Sequence, residues 1–299
     1  MLFKLGSKAS RKGINIYKYF TTINTKVLEG DKMSSVKLSD VLMVLEKFAP
    51  KSLSESWDNT GLLVEPYTPR PISKLLLTND LTEDVVSEAN TLGCAMIISY
   101  HPPIFAPLKA ITQQAWKQRI ISNLLENRIA LYSPHTSWDS VKGGVNDWLA
   151  SAFPVRECAP ILPKENPTVG PGRILELETS ISLSDAVSKV KALTGLNYVR
   201  VAVGKNKEMN DNNIQRIALC AGSGSSVLKD IEADLYLTGE MLHHDILDAA
   251  QRGISVILTN HSDSERGFLR QFSTYLQNEL NNQIQVLVST YDKEPLITV

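Results

Sequence analysis

The sequence predicts an α/β protein made of two related three-layer lobes, with mostly parallel sheets and a metal site between the lobes. Two observations lead to this prediction. Short apolar segments alternate with amphipathic helices along the chain, which is typical of βαβ units. One such unit also recurs 160 residues further along, which indicates an internal duplication.

Helices and strands alternate through the first half of the chain. Apolar residues recur every three or four positions over residues 37–48, which predicts an amphipathic helix. Beyond it, the pattern predicts strands at residues 74–78, 94–99 and 129–133 and helices at residues 83–92 and 114–127. The same alternation resumes after a proline-rich segment, with strands at residues 174–178, 198–203 and 217–220 and a helix at residues 184–193.

The proline-rich segment suggests where the two lobes divide. Residues 154–172 hold five prolines among polar residues, and we expect a linker there. The predicted division is therefore a flexible basic extension at residues 1–35, a first lobe at 36–153, the linker, and a second lobe at 173–299.

The internal repeat is the most informative feature of the sequence. When residues 75–101 are aligned with residues 235–261, seven positions are identical, among them a threonine, a glycine and a histidine. Each copy reads as a strand, a turn with an acid (Asp80 or Glu240), a helix, a glycine, a second strand and a histidine. Two unrelated βαβ units are the alternative, but such units would seldom share these three residues in one register.

The two repeated histidines are candidate metal ligands. His101 and His261 each follow a strand, and open parallel sheets place ligand sites beyond the carboxyl ends of their strands. A single histidine is more often structural, but two at equivalent repeat positions favour a shared site. Asp139 and Glu265 lie four residues after His135 and His261, and imidazole with carboxylate suits Zn, Fe or Mn. We interpret His243 and His244 as surface or supporting residues.

A glycine-rich turn follows a strand at residues 217–220. Gly222, Ser223 and Gly224 lead into a predicted short helix, and such turns direct backbone N–H groups toward anions. The complete dinucleotide-binding glycine pattern is absent from this segment. Close to a metal, the turn is a candidate cradle for an oxyanion or a phosphate.

Composition and charge exclude several classes of protein. The net charge is −1, from 31 basic and 32 acidic residues, so nothing favours a nucleic-acid partner. The three cysteines are far apart, which favours a reducing compartment such as the cytoplasm over a disulfide framework. No apolar run approaches the roughly 20 residues of a membrane helix, so we expect a soluble protein.

The first 28 residues are basic and contain no acidic residue. This composition is typical of a mitochondrial presequence, which makes import one expectation. A disordered tail, or an upstream extension that translation from Met33 would omit, explains the composition equally well.

Six segments resemble one known family, the Ngg-interacting-factor-three-like proteins, also known as homologues of a type-two GTP cyclohydrolase. They are SWDNTGLLV (56–64), YHPPIF (100–105), SPHTSWD (133–139), AGSGSS (221–226), DLYLTGE (234–240) and NHSDSERG (260–267). The resemblance covers residues 36–299 in the family's order and is strongest to its animal members.

The resemblance implies a two-metal centre between two α/β lobes, a toroidal homohexamer and no settled substrate. His101, Asp139 and Glu265 would hold one metal ion, and His261 with a bridging Glu265 would hold the second. Bacterial members have two adjacent histidines where this chain has Tyr100 and His101. The second ion would therefore be absent, weakly held, or bound through Tyr100 as a phenolate, whose ordinary pKa is about 10.

These residues predict a metal-dependent hydrolase of unknown substrate with one or two divalent ions (Zn, Fe or Mn) per chain. Glu265 or Glu240 would act as the general base, and the turn at Gly222 would hold the developing anion. The alternative is a regulatory or protein-interaction factor, related to transcription, in which the metal is structural or vestigial.

Overall fold

Two β-sheets organise the part of the chain that the computed structural model describes, residues 34–298. The strands are β1 (Gly61–Val64), β2 (Lys74–Thr78), β3 (Met96–Ser99), β4 (Ala130–Ser133), β5 (Val155–Ala159), β6 (Arg173–Ile181), β7 (Arg200–Ala202), β8 (Ile214–Ser223), β9 (Leu235–Glu240), β10 (Ser255–Leu258) and β11 (Gln285–Val288). The helices are α1 (Leu38–Phe48), α2 (Glu83–Leu92), α3 (Trp116–Glu126), α4 (Thr136–Ser140), α5 (Val145–Ala150), α6 (Leu183–Thr194), α7 (Ser225–Leu228), α8 (His243–Gln251) and α9 (Phe268–Glu279). The presequence expectation for residues 1–28 lies outside the described residues, as does the basic extension apart from Ser34 and Ser35.

The first sheet has the strand order β1-β4-β3-β2-β11, and only β1 is antiparallel to its neighbour. The second sheet has the order β5-β6-β8-β9-β10-β7. Its central strands β8, β9 and β10 are parallel, while β5, β6 and β7 pair in the antiparallel sense.

Helices cover both faces of each sheet, which confirms the α/β prediction. Side chains alternate across a strand, so Leu75 and Leu77 face one core while Leu76 faces another. The core behind Leu76 includes residues of α2 and α3, and the outer core of the second sheet includes residues of α7 and α8. Leu75 and Leu237 belong to one central core that both sheets share with α1, α5, α6 and α9.

The repeated segments fold alike. The first copy forms β2, α2 and β3, and the second forms β9, α8 and β10. In the first copy, the Thr82 side chain accepts a hydrogen bond from the backbone N–H of Val85 and so caps α2. That helix ends at Gly93, whose φ of 74° is a left-handed conformation that glycine adopts at low cost.

Two strands depart from the predicted division of the chain. β5 lies inside the predicted linker at residues 154–172 and pairs with β6. Its three central residues, Arg156, Glu157 and Cys158, are all exposed, so the strand lacks the alternation of buried apolar and exposed polar residues. β11 belongs by sequence to the predicted second lobe (173–299) but pairs with β2 in the first sheet. Across residues 34–298, no helix is long and apolar enough to cross a membrane.

Candidate metal centre

The repeated histidines meet between the two sheets. His101 follows β3 and His261 follows β10, and the centroids of their rings are 5.1 Å apart. Both strands belong to the parallel part of their sheet, so the carboxyl ends of β3 and β10 present the two imidazoles to a common space.

An acid from the same repeat holds each histidine. His101 Nδ1 lies 2.9 Å from Asp80 Oδ1, and His261 Nδ1 lies 2.9 Å from Glu240 Oε1. A carboxylate accepts a hydrogen bond, so each pair assigns the proton to Nδ1 and leaves Nε2 free to bind a metal. Glu240, predicted as a general base, therefore contacts His261 at Nδ1, on the side of the ring away from Nε2.

Glu265 lies between the two imidazoles. Its Oε2 is 3.4 Å from His101 Nε2, and its Oε1 is 3.6 Å from His261 Nε2. The side chain of Asn79, on the turn after β2, donates a hydrogen bond of 3.0 Å to Glu265 Oε2. One ligand atom from each of His101, His261 and Glu265 lies within 4.8 Å of the others, which is a group that could hold a metal ion.

The chemistry of this group fits a divalent cation. The buried Nε2 of His101 has no hydrogen-bond partner among the described residues. Burial raises the pKa of Glu265 well above its ordinary value, and the nearby Asp139 raises it further. A bound cation would satisfy both the unpartnered imidazole nitrogen and a buried carboxylate that lies near a second carboxylate, Asp139. The donor set of nitrogen and oxygen suits Zn, Fe or Mn.

Asp139, the fourth predicted ligand, lies on α4 outside this group of three. The hydroxyl of Tyr100 donates a hydrogen bond of 2.5 Å to Asp139 Oδ1. Burial raises the pKa of Tyr100 well above its ordinary value, and the carboxylates of Asp139 and Glu265 add to the effect. Tyr100 is therefore a neutral donor to Asp139 in this structure, and its binding of a second ion as a phenolate stays a prediction.

Sequence reasoning missed a third pair of acid and histidine. His135 Nδ1 lies 2.8 Å from Asp58 Oδ1, and the centroids of the His135 and His101 rings are 5.3 Å apart. The spacing of His135 and Asp139 was noted in the sequence, but only the aspartate was assigned as a ligand. Asn79 was also missed, because an amide on a turn carries no signal of its own.

Two backbone N–H groups of the glycine-rich turn, which was predicted to hold an anion, have partners within the protein. The N–H of Gly222 donates to Ser264 Oγ (2.7 Å), and the N–H of Gly224 donates to Thr238 Oγ1 (3.0 Å). Neither group is therefore directed at an anion. Gly222 has φ of 66°, and a Cβ there would lie 2.5 Å from Glu265 Oε1. The turn thus leaves room for the carboxylate, and Ser223 lines the cavity beside it.

A cavity of about 470 Å³ opens beside the metal group. Asp139, His261 and Glu265 contribute polar surface to it, and Trp57, Phe105 and Leu162 contribute apolar surface. Its volume lies in the range of small-molecule sites in proteins. His243 and His244 lie elsewhere, exposed at the start of α8.

The fold and this site define a class of two-lobed α/β protein with a histidine–glutamate group suited to a metal. The model of the family Duf34/NIF3 (NGG1p interacting factor 3) matches residues 36–295, and the chain belongs to that family. The resemblance predicted from the six sequence segments is thereby confirmed.

A named relative agrees with this assignment, and two solved structures share the fold. The chain is 48% identical over 267 residues to NIF3-like protein 1 of Drosophila melanogaster, which covers 89% of this chain and 90% of that protein. A crystal structure of a Staphylococcus aureus protein has a TM-score of 0.78 at 28% identity and covers 89% of this chain and all of that chain (100%). Reduced HcgD from Methanocaldococcus jannaschii has a TM-score of 0.73 at 28% identity, with 87% and 100% covered.

Proposed function

We propose that this chain binds a divalent metal ion through His101, His261 and Glu265 and hydrolyses a small molecule in the adjoining cavity. The observation that carries the proposal is the pair of mirrored acid–histidine contacts, which direct both Nε2 atoms at one buried carboxylate. Two such contacts are unnecessary for packing, but metal-binding histidines usually have them.

When bound, the ion would act as a Lewis acid toward an oxygen atom of the substrate. Asp80 and Glu240 hold the two imidazoles in the orientation that ligation requires. Of the two predicted general bases, Glu265 lines the cavity, whereas Glu240 contacts His261 at the nitrogen turned away from Glu265. Glu265 is therefore the better candidate for moving a proton at the substrate.

We expect about one ion per chain at this group. A second ion would need further donors, and His135 and Asp139 are the nearest candidates. Tyr100→His would supply an imidazole that needs no deprotonation at pH 7, so this variant should raise the metal content toward two ions.

Elemental analysis of purified protein tests the metal assignment. His101→Ala and Glu265→Ala should each lose most of the bound metal, while His244→Ala, which removes an exposed histidine outside the site, should keep it. Unchanged metal content in both site variants would refute the assignment. Phosphoesters and cyclic amides, assayed with and without the metal, then test hydrolysis.

A regulatory role remains the second candidate, and one relative supports it. A Saccharomyces cerevisiae protein named NGG1-interacting factor 3 is 35% identical and covers 88% of this chain and 98% of that protein. Its name describes an interaction with another protein. Turnover that disappears in Glu265→Ala would favour the enzyme, whereas a partner bound equally by the wild type and that variant would favour the regulatory factor.

We also propose that the chain forms a homo-oligomer, expected to be a hexamer. Light scattering can measure its mass.

A further inference from the structure

Two exposed aromatic side chains flank the cavity. Trp57 is 60% exposed and Phe105 is 50% exposed, although both are large and apolar. Their ring centroids are 6.1 Å apart, and the ring planes meet at 55°. The two rings therefore contact each other at a tilt, and each leaves about half or more of its surface open beside the cavity that both residues line.

The backbone around Trp57 is held firmly although its indole is exposed. The Glu55 N–H donates to Thr136 Oγ1 (2.9 Å), and the Asp58 carboxylate accepts from that hydroxyl (2.6 Å) and from the His135 ring (2.8 Å). The Asn59 side chain donates to the carbonyl of Ile104, beside Phe105. A preorganised aromatic side chain loses little conformational entropy when a ligand binds.

The charge of the cavity limits what binds there. Of the described residues that line it, none is lysine or arginine, whereas Glu55, Asp139 and Glu265 are acidic. Lys164, the nearest cation to Glu55, is paired with it at 3.0 Å. A phosphate or carboxylate group bound in this cavity would therefore meet carboxylates rather than cations.

We propose that Trp57 and Phe105 form a stacking subsite for an uncharged aromatic or heteroaromatic ring of the substrate. We further propose that this ring carries an oxygen-bearing substituent that points toward His261 and Glu265. This orientation rests on the proposed function. Ring-to-ring steps of 6.0 Å from Trp57 to His135 and 5.3 Å from His135 to His101 connect the subsite to the metal group. Offset or edge-to-face aromatic contacts supply the binding energy.

Calorimetric titration with three related probes tests the subsite. We expect 2-naphthamide to bind at least about tenfold more tightly than its fully saturated analogue, since only the former stacks. The anionic 2-naphthyl phosphate should bind more weakly than the amide to metal-free protein. Trp57→Ala and Phe105→Ala should each weaken amide binding by about tenfold, whereas Trp116→Ala, which removes an exposed tryptophan of α3, should not.

Equal affinity for the aromatic and saturated amides, or no binding of either, would overturn the subsite. So would variants that alter the oligomeric state and leave probe affinity unchanged, because the aromatic pair would then be an interface between chains. The titration is repeated with His101→Ala. Ring binding that survives there, without metal, would support the subsite independently of the proposed metal chemistry. Bound metal without ring binding would leave the metal assignment standing and refute the subsite.

Discussion

The two copies of the repeat hold their histidines with the same contact but support that contact differently. Asp80 and Glu240 each lie 2.9 Å from their histidine. Asp80 also accepts a hydrogen bond of 2.7 Å from Ser262 Oγ, which comes from the other copy's loop. In the described part of the chain, the Glu240 carboxylate has His261 as its only hydrogen-bond partner, and it is 51% exposed.

The C-terminal segment adds to this difference. The Asp292 carboxylate accepts hydrogen bonds from the backbone N–H groups of Asn79 (2.7 Å) and Asp80 (3.4 Å), and it pairs with Arg266. At the corresponding end of β9, no described side chain accepts a hydrogen bond from the backbone N–H groups of Gly239 and Glu240. The two copies therefore share the acid–histidine contact, whereas the hydrogen bonds that support each acid differ.

The largest effect on metal binding is expected at Glu265, the carboxylate that lies near both histidines. Gly222→Ala introduces a methyl group 2.5 Å from Glu265 Oε1 and 3.2 Å from His261 Nε2, so most bound metal should be lost. Gly93→Ala is the matched control, because it has a similar positive φ but no atom within 4 Å. Both should lose about 1 kcal/mol of stability from backbone strain. Equal metal content in the two variants would contradict the assigned role of Gly222.

An effect of intermediate size is expected when either acid is removed, and the stability of the two variants should differ. Asp80→Ala and Glu240→Ala should each weaken metal binding by about 10- to 100-fold, as loss of a carboxylate behind a ligating histidine usually does. Asp80→Ala should also lower the free energy of unfolding by about 1–3 kcal/mol, because the buried Ser262 hydroxyl loses its acceptor. Metal titration and chemical denaturation measure the two quantities. Equal stability in both variants would show that the additional support of Asp80 carries no energetic weight.

The smallest expected effect is on the pH dependence of stability near β11, the C-terminal strand that pairs with β2 in the first sheet. Burial alone would raise the pKa of Glu88, but hydrogen bonds from Ser289 and Thr290, just after β11, outweigh it and lower that pKa. A lowered pKa means that this contribution to stability is present above the ordinary pKa of 4.5 and is lost as the pH falls below it.

Glu88→Gln should therefore remove part of the acid sensitivity of the first sheet. In wild-type protein, amide hydrogens of β2 and β11 should exchange faster as the pH falls below 4.5, once intrinsic exchange rates are subtracted. The variant should show less change, and β9 should behave alike in both proteins. An unchanged acid response of β11 in the variant would exclude Glu88 as its cause.

Much of the local structure could be predicted from the sequence. The limits 83–92 predicted for the second helix match α2, since Thr82 and Gly93 are strong local signals. The repeat also predicted that His101 and His261 converge, because equivalent strand ends in related units face one seam. Contacts between distant segments left no local signal. The pairing of Tyr100 with Asp139, the Asp58–His135 pair and the place of β11 each depend on how separate elements pack.

The position of β11 sets the order in which the molecule can be completed. Ser289 lies 201 residues from its partner Glu88, and β11 pairs with β2 only after the whole second sheet has been made. A chain that grows from its N-terminus therefore cannot finish its first sheet before Val288 has been synthesised. Asp292 follows, so the His101 half of the site receives its outer support last. The half whose acid has more hydrogen-bond partners in the folded protein is therefore the one that must wait until Asp292 has been synthesised.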